Sequence, residues 1–107
     1  MSTAPRSEIL NVAAMVEYQG GAVVSRQITK SEGGNVTLFA FDLGQELSEH
    51  TAPYDALLHV LDGEAEITIS GRQFLLRTGE VIIMPASESH AVKATHQFKM
   101  LLTMIKA

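Results

Sequence analysis

From Asn35 onward apolar and polar residues alternate with a period of two, in short segments broken at Gly44, Gly63, Gly71 and Gly79. A two-residue period places successive side chains on opposite faces of a pleated strand, and a helix of 3.6 residues per turn cannot produce it. The densest part of this pattern runs from Gly44 to Ala94. It predicts strands over 56–61, 64–70, 73–77, 80–84 and 90–93, preceded by one over 36–43 and followed by one over 97–106. Asp62-Gly63 reads as a hairpin turn, because both residues of such a turn take positive φ. Ser70-Gly71, Thr78-Gly79 and Thr95-His96 supply further turns.

Upstream the signals are weaker. Residues 1–10 read as a loose leader with Pro5, residues 8–15 (EILNVAAM) as a marginal helical turn, and 22–29 as a strand after the Gly20-Gly21 turn. Eight or so closely spaced strands without a convincing long helix predict one all-β domain over residues 1–107, an antiparallel β-sandwich or jelly-roll barrel. Its core is expected over about residues 36–105.

The alternation also shows strands that are apolar on both faces. Leu58 and Val60 oppose Leu57 and Leu61, with His59 between the latter pair; Phe39, Phe41 and Leu43 oppose Val36, Leu38 and Ala40. A small barrel buries one face of each strand, so the second face must meet the N-terminal strand or another subunit. A homodimer is the expectation.

With 107 residues, 46% of them hydrophobic and 19% charged, the chain can bury a core without staples. A net charge of −4 excludes a surface built mainly for nucleic acid or anionic membrane. No cysteine is present, so thiolate metal sites and disulfides are excluded. The N-terminus has no apolar signal core, and no apolar run reaches the roughly 18 residues that span a bilayer. A cytoplasmic location is the expectation.

The segment from Gly44 to Ala94 resembles the two-motif signature of the cupin superfamily, as found in small single-domain, RmlC-like barrels. The first motif of that family is a glycine, five residues, His-x-His, three or four residues, a glutamate, six residues and a glycine. Gly44, His50 and Gly63 match it, while Ala52 stands at the second histidine and Ala56 at the glutamate. In the second motif Gly79, Pro85 and His90 match, with Ser87 in place of a glycine and Ala94 in place of an asparagine. The resemblance extends over Val36 to Ile105.

The resemblance implies that His50 and His90 meet in the barrel. Metal-binding cupins hold one divalent ion with three histidines and a glutamate, and here two of those four ligands are alanine. Catalytic metal sites generally use about three protein ligands. Asp55 is the candidate third ligand if a bulge after Pro53 turns it inward, giving a facial triad suited to iron or manganese; nickel and zinc are the other candidates. His59 is expected to face outward and His96 to lie solvated in a turn. Met84, Met100 and Met104 read as core.

Loss of the two ligands predicts a roomier, more apolar pocket lined by Ala52, Ala56, Leu58, Phe98 and Met100. Three functions follow as expectations. The first is a small-molecule-binding cupin with a degenerate metal site. The second is a metal-dependent oxygenase or isomerase using His50, His90 and a substitute carboxylate, and the third a metal-free scaffold.

Overall fold

The computed structural model describes residues 4–106. A short 3-10 turn, Val12–Ala14, precedes eight strands: β1 (Val23–Ser31), β2 (Gly34–Phe41), β3 (Glu46–His50), β4 (Asp55–Ile69), β5 (Arg72–Arg77), β6 (Val81–Met84), β7 (His90–Lys93) and β8 (Phe98–Ile105). All pairings are antiparallel, as the all-β expectation requires. They form two half-sheets, β1-β2-β8-β4-β6 and β3-β7-β4-β5, that share the long strand β4 and curl toward each other. No helix among the described residues is long and apolar enough to cross a membrane.

The shared strand corrects one expectation. Asp62-Gly63 is not a hairpin turn; β4 runs through it as one strand of 15 residues. The register against β8 slips by one residue between Val60 and Asp62, so the strand bulges there and passes from one half-sheet to the other. Gly63 has φ 82, and a Cβ on it would lie 2.0 Å from the carbonyl oxygen of Gln97. Positive φ at glycine serves a bulge as well as a hairpin, so the dipeptide alone does not distinguish them. Strands β5 and β6 follow β4 around the same corner, tied to it by Gly79 N–H to Val60 O and Val60 N–H to Glu80 O.

The inner faces meet in one core that includes Phe41, Leu58, Val60, Ile67, Phe98 and Met100, all fully buried. The rings of Phe41 and Phe98 stack with centroids 4.5 Å apart. Met84 and Met100 are buried in this core and Met104 packs against it, as expected. The alternation places Leu38 and Ala40 on the opposite face of β2, where they too are fully buried.

The segment before β1 covers that outer face, and β1, the expected N-terminal strand, borders it through Val24 and Ile28. Val16 packs on Leu38 and Ala40, with Val12, Met15 and Tyr18 around them and Leu61 and Leu101 alongside. Polar contacts fasten this strap: Tyr18 Oη donates to Asp62 Oδ2 at 2.5 Å, and Lys99 Nζ donates to Ala13 O at 2.6 Å while standing over the Tyr18 ring. Burial of the ring, and then the hydrogen bond it donates to the Asp62 carboxylate, push the Tyr18 phenol above its ordinary range. Within the expected leader, Ala4 is buried and its N–H donates to Ile28 O; residues 1–3 lie outside the described residues. The strap leaves the β4–β6 side of the outer face uncovered, where Val81 is 49% and Ile83 59% exposed.

Candidate functional site

The segment 46–50 (ELSEH) carries no strong strand signal, yet it forms β3 at the edge of the second half-sheet, paired with β7. Its register decides where His50 points. Leu47 lies opposite Val92 and His50 opposite His90, so three steps on β3 match two on β7. The extra residue is a bulge at Ser48-Glu49. Leu47 packs toward the core; in an unbroken strand the residue three positions later would face outward. The bulge turns His50 back to the inner side. A bulge after Pro53 was the condition for Asp55 to turn inward; the structure has a bulge four residues earlier, acting on the histidine.

His90 opens β7 with Ile69 of β4 as its partner on the other side. Among the described residues it is the one buried polar side chain, 5% exposed, while His50 is exposed. The two rings stand edge to face at 70°, their centroids 4.4 Å apart. Each Nδ1 contacts a backbone carbonyl two residues back, His50 to Ser48 O at 2.7 Å and His90 to Glu88 O at 3.3 Å. A carbonyl only accepts, so each Nδ1 carries a hydrogen, and either ring when neutral keeps its lone pair on Nε2. Burial, and then the neighbouring His50, hold the His90 pKa below the ordinary histidine value.

The other site candidates are not brought to the pair. Asp55 accepts the Ala86 N–H at 2.9 Å on its Oδ1, so its carboxylate anchors the β6–β7 loop. Asp55 pairs with Ile105 on the parity opposite to Ala56, as a regular strand dictates. Among the described residues no three His, Cys, Asp or Glu side chains come together to hold a metal ion. Two imidazoles with Nε2 free have the donor chemistry of metal ligands but do not complete a site.

The expected roomy pocket also differs in detail. Ala56, Leu58, Phe98 and Met100 are buried members of the packed core, and Ala56 is filled against by its register partners Met84 and Met104. Alanine in place of a larger ligand lets its neighbours close in rather than leaving a void. Ala52 is half-buried in the loop after His50, where its carbonyl accepts the Ser87 N–H. His59 faces outward between Leu101 and Val81, as expected. His96 is exposed, and its Nδ1 lies 3.0 Å from Glu64.

A cavity of about 310 Å³ does open beside the histidine level, lined by Ile69, Arg72, Phe74, Ile82, Pro85 and Glu88 among others. Ile69 is its link to the pair, being the register partner of both His90 and Arg72. One level of the inner face therefore reads His50, His90, Ile69, Arg72. The Arg72 guanidinium stands 5.3 Å over the Phe74 ring, and Ser70 Oγ donates to Glu88 Oε1 at 2.9 Å. Sequence reasoning did not single out Arg72; its place in the two-residue period with Phe74 and Leu76 is the signal that would have found it.

Two half-sheets sharing a bent strand, with a glycine-spaced pair of motifs meeting at His50 and His90, match one family. Residues 37–106 match the Cupin domain family. The chain belongs to the cupins. Its solved relatives agree over nearly the whole length. A conserved protein of unknown function from Streptococcus pyogenes is 33% identical, with TM-score 0.92, covering 100% of this chain and 96% of its own. A cupin superfamily protein from Desulfitobacterium hafniense is 29% identical, with TM-score 0.91, covering 99% of this chain and 97% of its own. A cupin 2 conserved barrel domain protein from Leptotrichia buccalis is 41% identical with TM-score 0.88; the match covers 91% of this chain and 47% of that one. No curated protein matches the chain. As a cupin, this chain keeps one histidine from each motif and has alanine at two ligand positions, Ala52 and Ala56.

Proposed function

We propose that this cupin binds a small molecule at the barrel mouth, with His50 and His90 presenting two Nε2 acceptors to hydrogen-bond donors on the ligand. The observation that supports this reading is the pair itself: one ring buried, one exposed, 4.4 Å between centroids, and both Nδ1 atoms committed to backbone carbonyls. Burying a polar ring costs free energy unless it is used, and a pair held in one tautomer is preorganised to accept. The adjacent cavity of about 310 Å³, with Phe74, Ile82 and Ile69 as apolar wall, has the size and character of a small-ligand site.

The metal-dependent enzyme is the second reading, favoured by the free Nε2 atoms and opposed by the lack of a third protein ligand among the described residues. Metal content of tag-free protein after incubation with iron, manganese, nickel or zinc separates the two. The binding reading expects no stoichiometric metal, and a ligand captured from a metabolite library whose affinity falls about tenfold in His50→Ala and His90→Ala. Stoichiometric metal that both substitutions release would overturn it in favour of the enzyme.

We also propose that the uncovered outer face pairs with a second copy. Val81, Ile83 and Ile105 are more than half or nearly half exposed on the side that the N-terminal strap leaves open, with Leu57 and His59 between β6 and β8. Sedimentation at micromolar concentration is expected to give a dimer that Ile83→Glu dissociates. A monomeric wild type refutes the proposal.

A further inference from the structure

A second crevice lies between the β1–β2 hairpin and the residues entering β4, lined by Lys30, Ser31, Gly34, Asn35, Tyr54, Met104 and Lys106. We propose that it binds an anion, a phosphate or carboxylate group. The proposal is independent of the histidine pair.

The polar side chains of this crevice are left as donors. Ser31 Oγ already accepts the Gly33 N–H at 3.2 Å, which leaves its hydroxyl hydrogen to point elsewhere. Asn35 Oδ1 faces the Thr37 hydroxyl at 3.3 Å, which leaves the Asn35 NH₂ group to donate. Tyr54 adds a phenol, and two lysines add ammonium groups, which have donors and no acceptor. The lining contains no carboxylate. With two ammonium groups in it, such a wall is best complemented by a group of acceptor oxygens carrying negative charge.

The two lysines are also unspent. Among the described residues neither Lys30 nor Lys106 forms an ion pair; Arg77 is the cation engaged with a carboxylate, Glu64. Lys93 lies across the sheet from Glu46 and Glu66, and Lys99 is fixed by the Ala13 carbonyl. Lys106 Nζ is steered over the Tyr54 ring at 5.6 Å, and its backbone N–H is tied to Gly33 O at 2.9 Å, so Lys106 is held at the crevice. The carboxylates nearest in the chain, Glu32 and Asp55, lie outside the lining, Asp55 accepting the Ala86 N–H, and the part of the −4 net charge that lies beyond about 10 Å is largely screened at ordinary salt.

Register gives the crevice its place in the barrel. Lys30 pairs with Asn35, Asn35 with Met104, and Met104 with Ala56, so these residues share one level of the first half-sheet. Met104 packs into the core below. At about 210 Å³ the crevice is smaller than the roughly 300–1,000 Å³ typical of whole-ligand sites. It fits a small anion or the anionic end of a longer ligand.

The test is an amide-shift titration of the ¹⁵N-labelled full chain at fixed ionic strength, with methyl phosphate in one series, acetate in another and chloride as control. Saturating shifts at Ser31, Gly33, Gly34 and Asn35 are expected with one or both oxyanions. Lys30→Gln and Lys106→Gln should each weaken binding about threefold or more, and the double variant should abolish it, whereas Lys→Arg at either position retains it. A stronger response to methyl phosphate assigns a phosphate, a stronger response to acetate a carboxylate. Shifts that do not saturate, that chloride reproduces, or that persist in the double Gln variant overturn the proposal. Both lysines are exposed, and unchanged amide spectra away from the crevice check that the variants stay folded.

Discussion

His90 is buried with its ring edge to face with that of His50, their centroids 4.4 Å apart, so a proton on His50 is felt by His90. The fold holds the His90 pKa below its ordinary value, through burial first and the neighbouring imidazole second. The unfolded chain therefore binds this proton more readily than the native one. Stability from this group is complete above the ordinary histidine pKa and is lost as pH falls toward the depressed folded value. The thermal midpoint should drop between about pH 7.5 and about pH 5.5, and His90→Gln should flatten that drop. Equal slopes for wild type and His90→Gln would contradict the assignment. In His50→Gln, the His90 pKa followed by NMR should move up.

Two glycines with nearly the same backbone angle should respond differently to alanine. Gly63 and Gly71 have φ of 82 and 83, but a Cβ on Gly63 meets the Gln97 carbonyl oxygen at 2.0 Å, whereas one on Gly71 meets nothing within 4 Å. Gly71→Ala should cost about 1 kcal/mol, the penalty of the left-handed region. Gly63→Ala should cost more than about 2 kcal/mol, because backbone of β8 must shift as well. Urea denaturation of both variants is the check; equal losses would mean that the bulge is not held as described.

The strap should loosen when its latch is cut. Tyr18→Phe keeps the ring over Lys99 and leaves Asp62 without its donor. The expected loss is about 1 kcal/mol, since Asp62 is exposed and water can replace the phenol. Hydrogen exchange should speed up in residues 12–18 and not in β7. Unchanged exchange there would show that the apolar contacts of Val16 hold the strap alone.

Ser87 occupies the position where the cupin motif has glycine, and it takes φ 67. Its N–H donates to Ala52 O, so the conformation joins the loop after His50 to the loop before His90. Ser87→Gly should raise stability by about 0.5 kcal/mol, the relief of left-handed strain less the added freedom of the unfolded chain. A lower melting temperature than wild type would refute this.

Much of this was legible in the chain. The period of two located seven of the eight strands to within a few residues, because alternation on a half-buried strand is a local property. The resemblance to the cupin motifs implied that His50 and His90 meet, and their rings do. Strand β3 was missed because ELSEH has exposed residues at four of its five positions and so lacks an apolar alternation. The continuity of β4 was missed because a glycine at positive φ looks the same in a bulge and in a hairpin.

By itself the sequence determined where most of the strands lie, which faces are apolar, and that two histidines survive where the cupin pattern has more ligands. Only the tertiary structure decided how they are used. The bulge at Ser48-Glu49 turns His50 inward through its register with β7, 40 residues away in His90. Asp55 spends its carboxylate on Ala86, and Met84 and Met104 close over Ala56. Each of these outcomes depends on the register between strands distant in sequence, and register is set by the packing of the whole sheet rather than by any one segment.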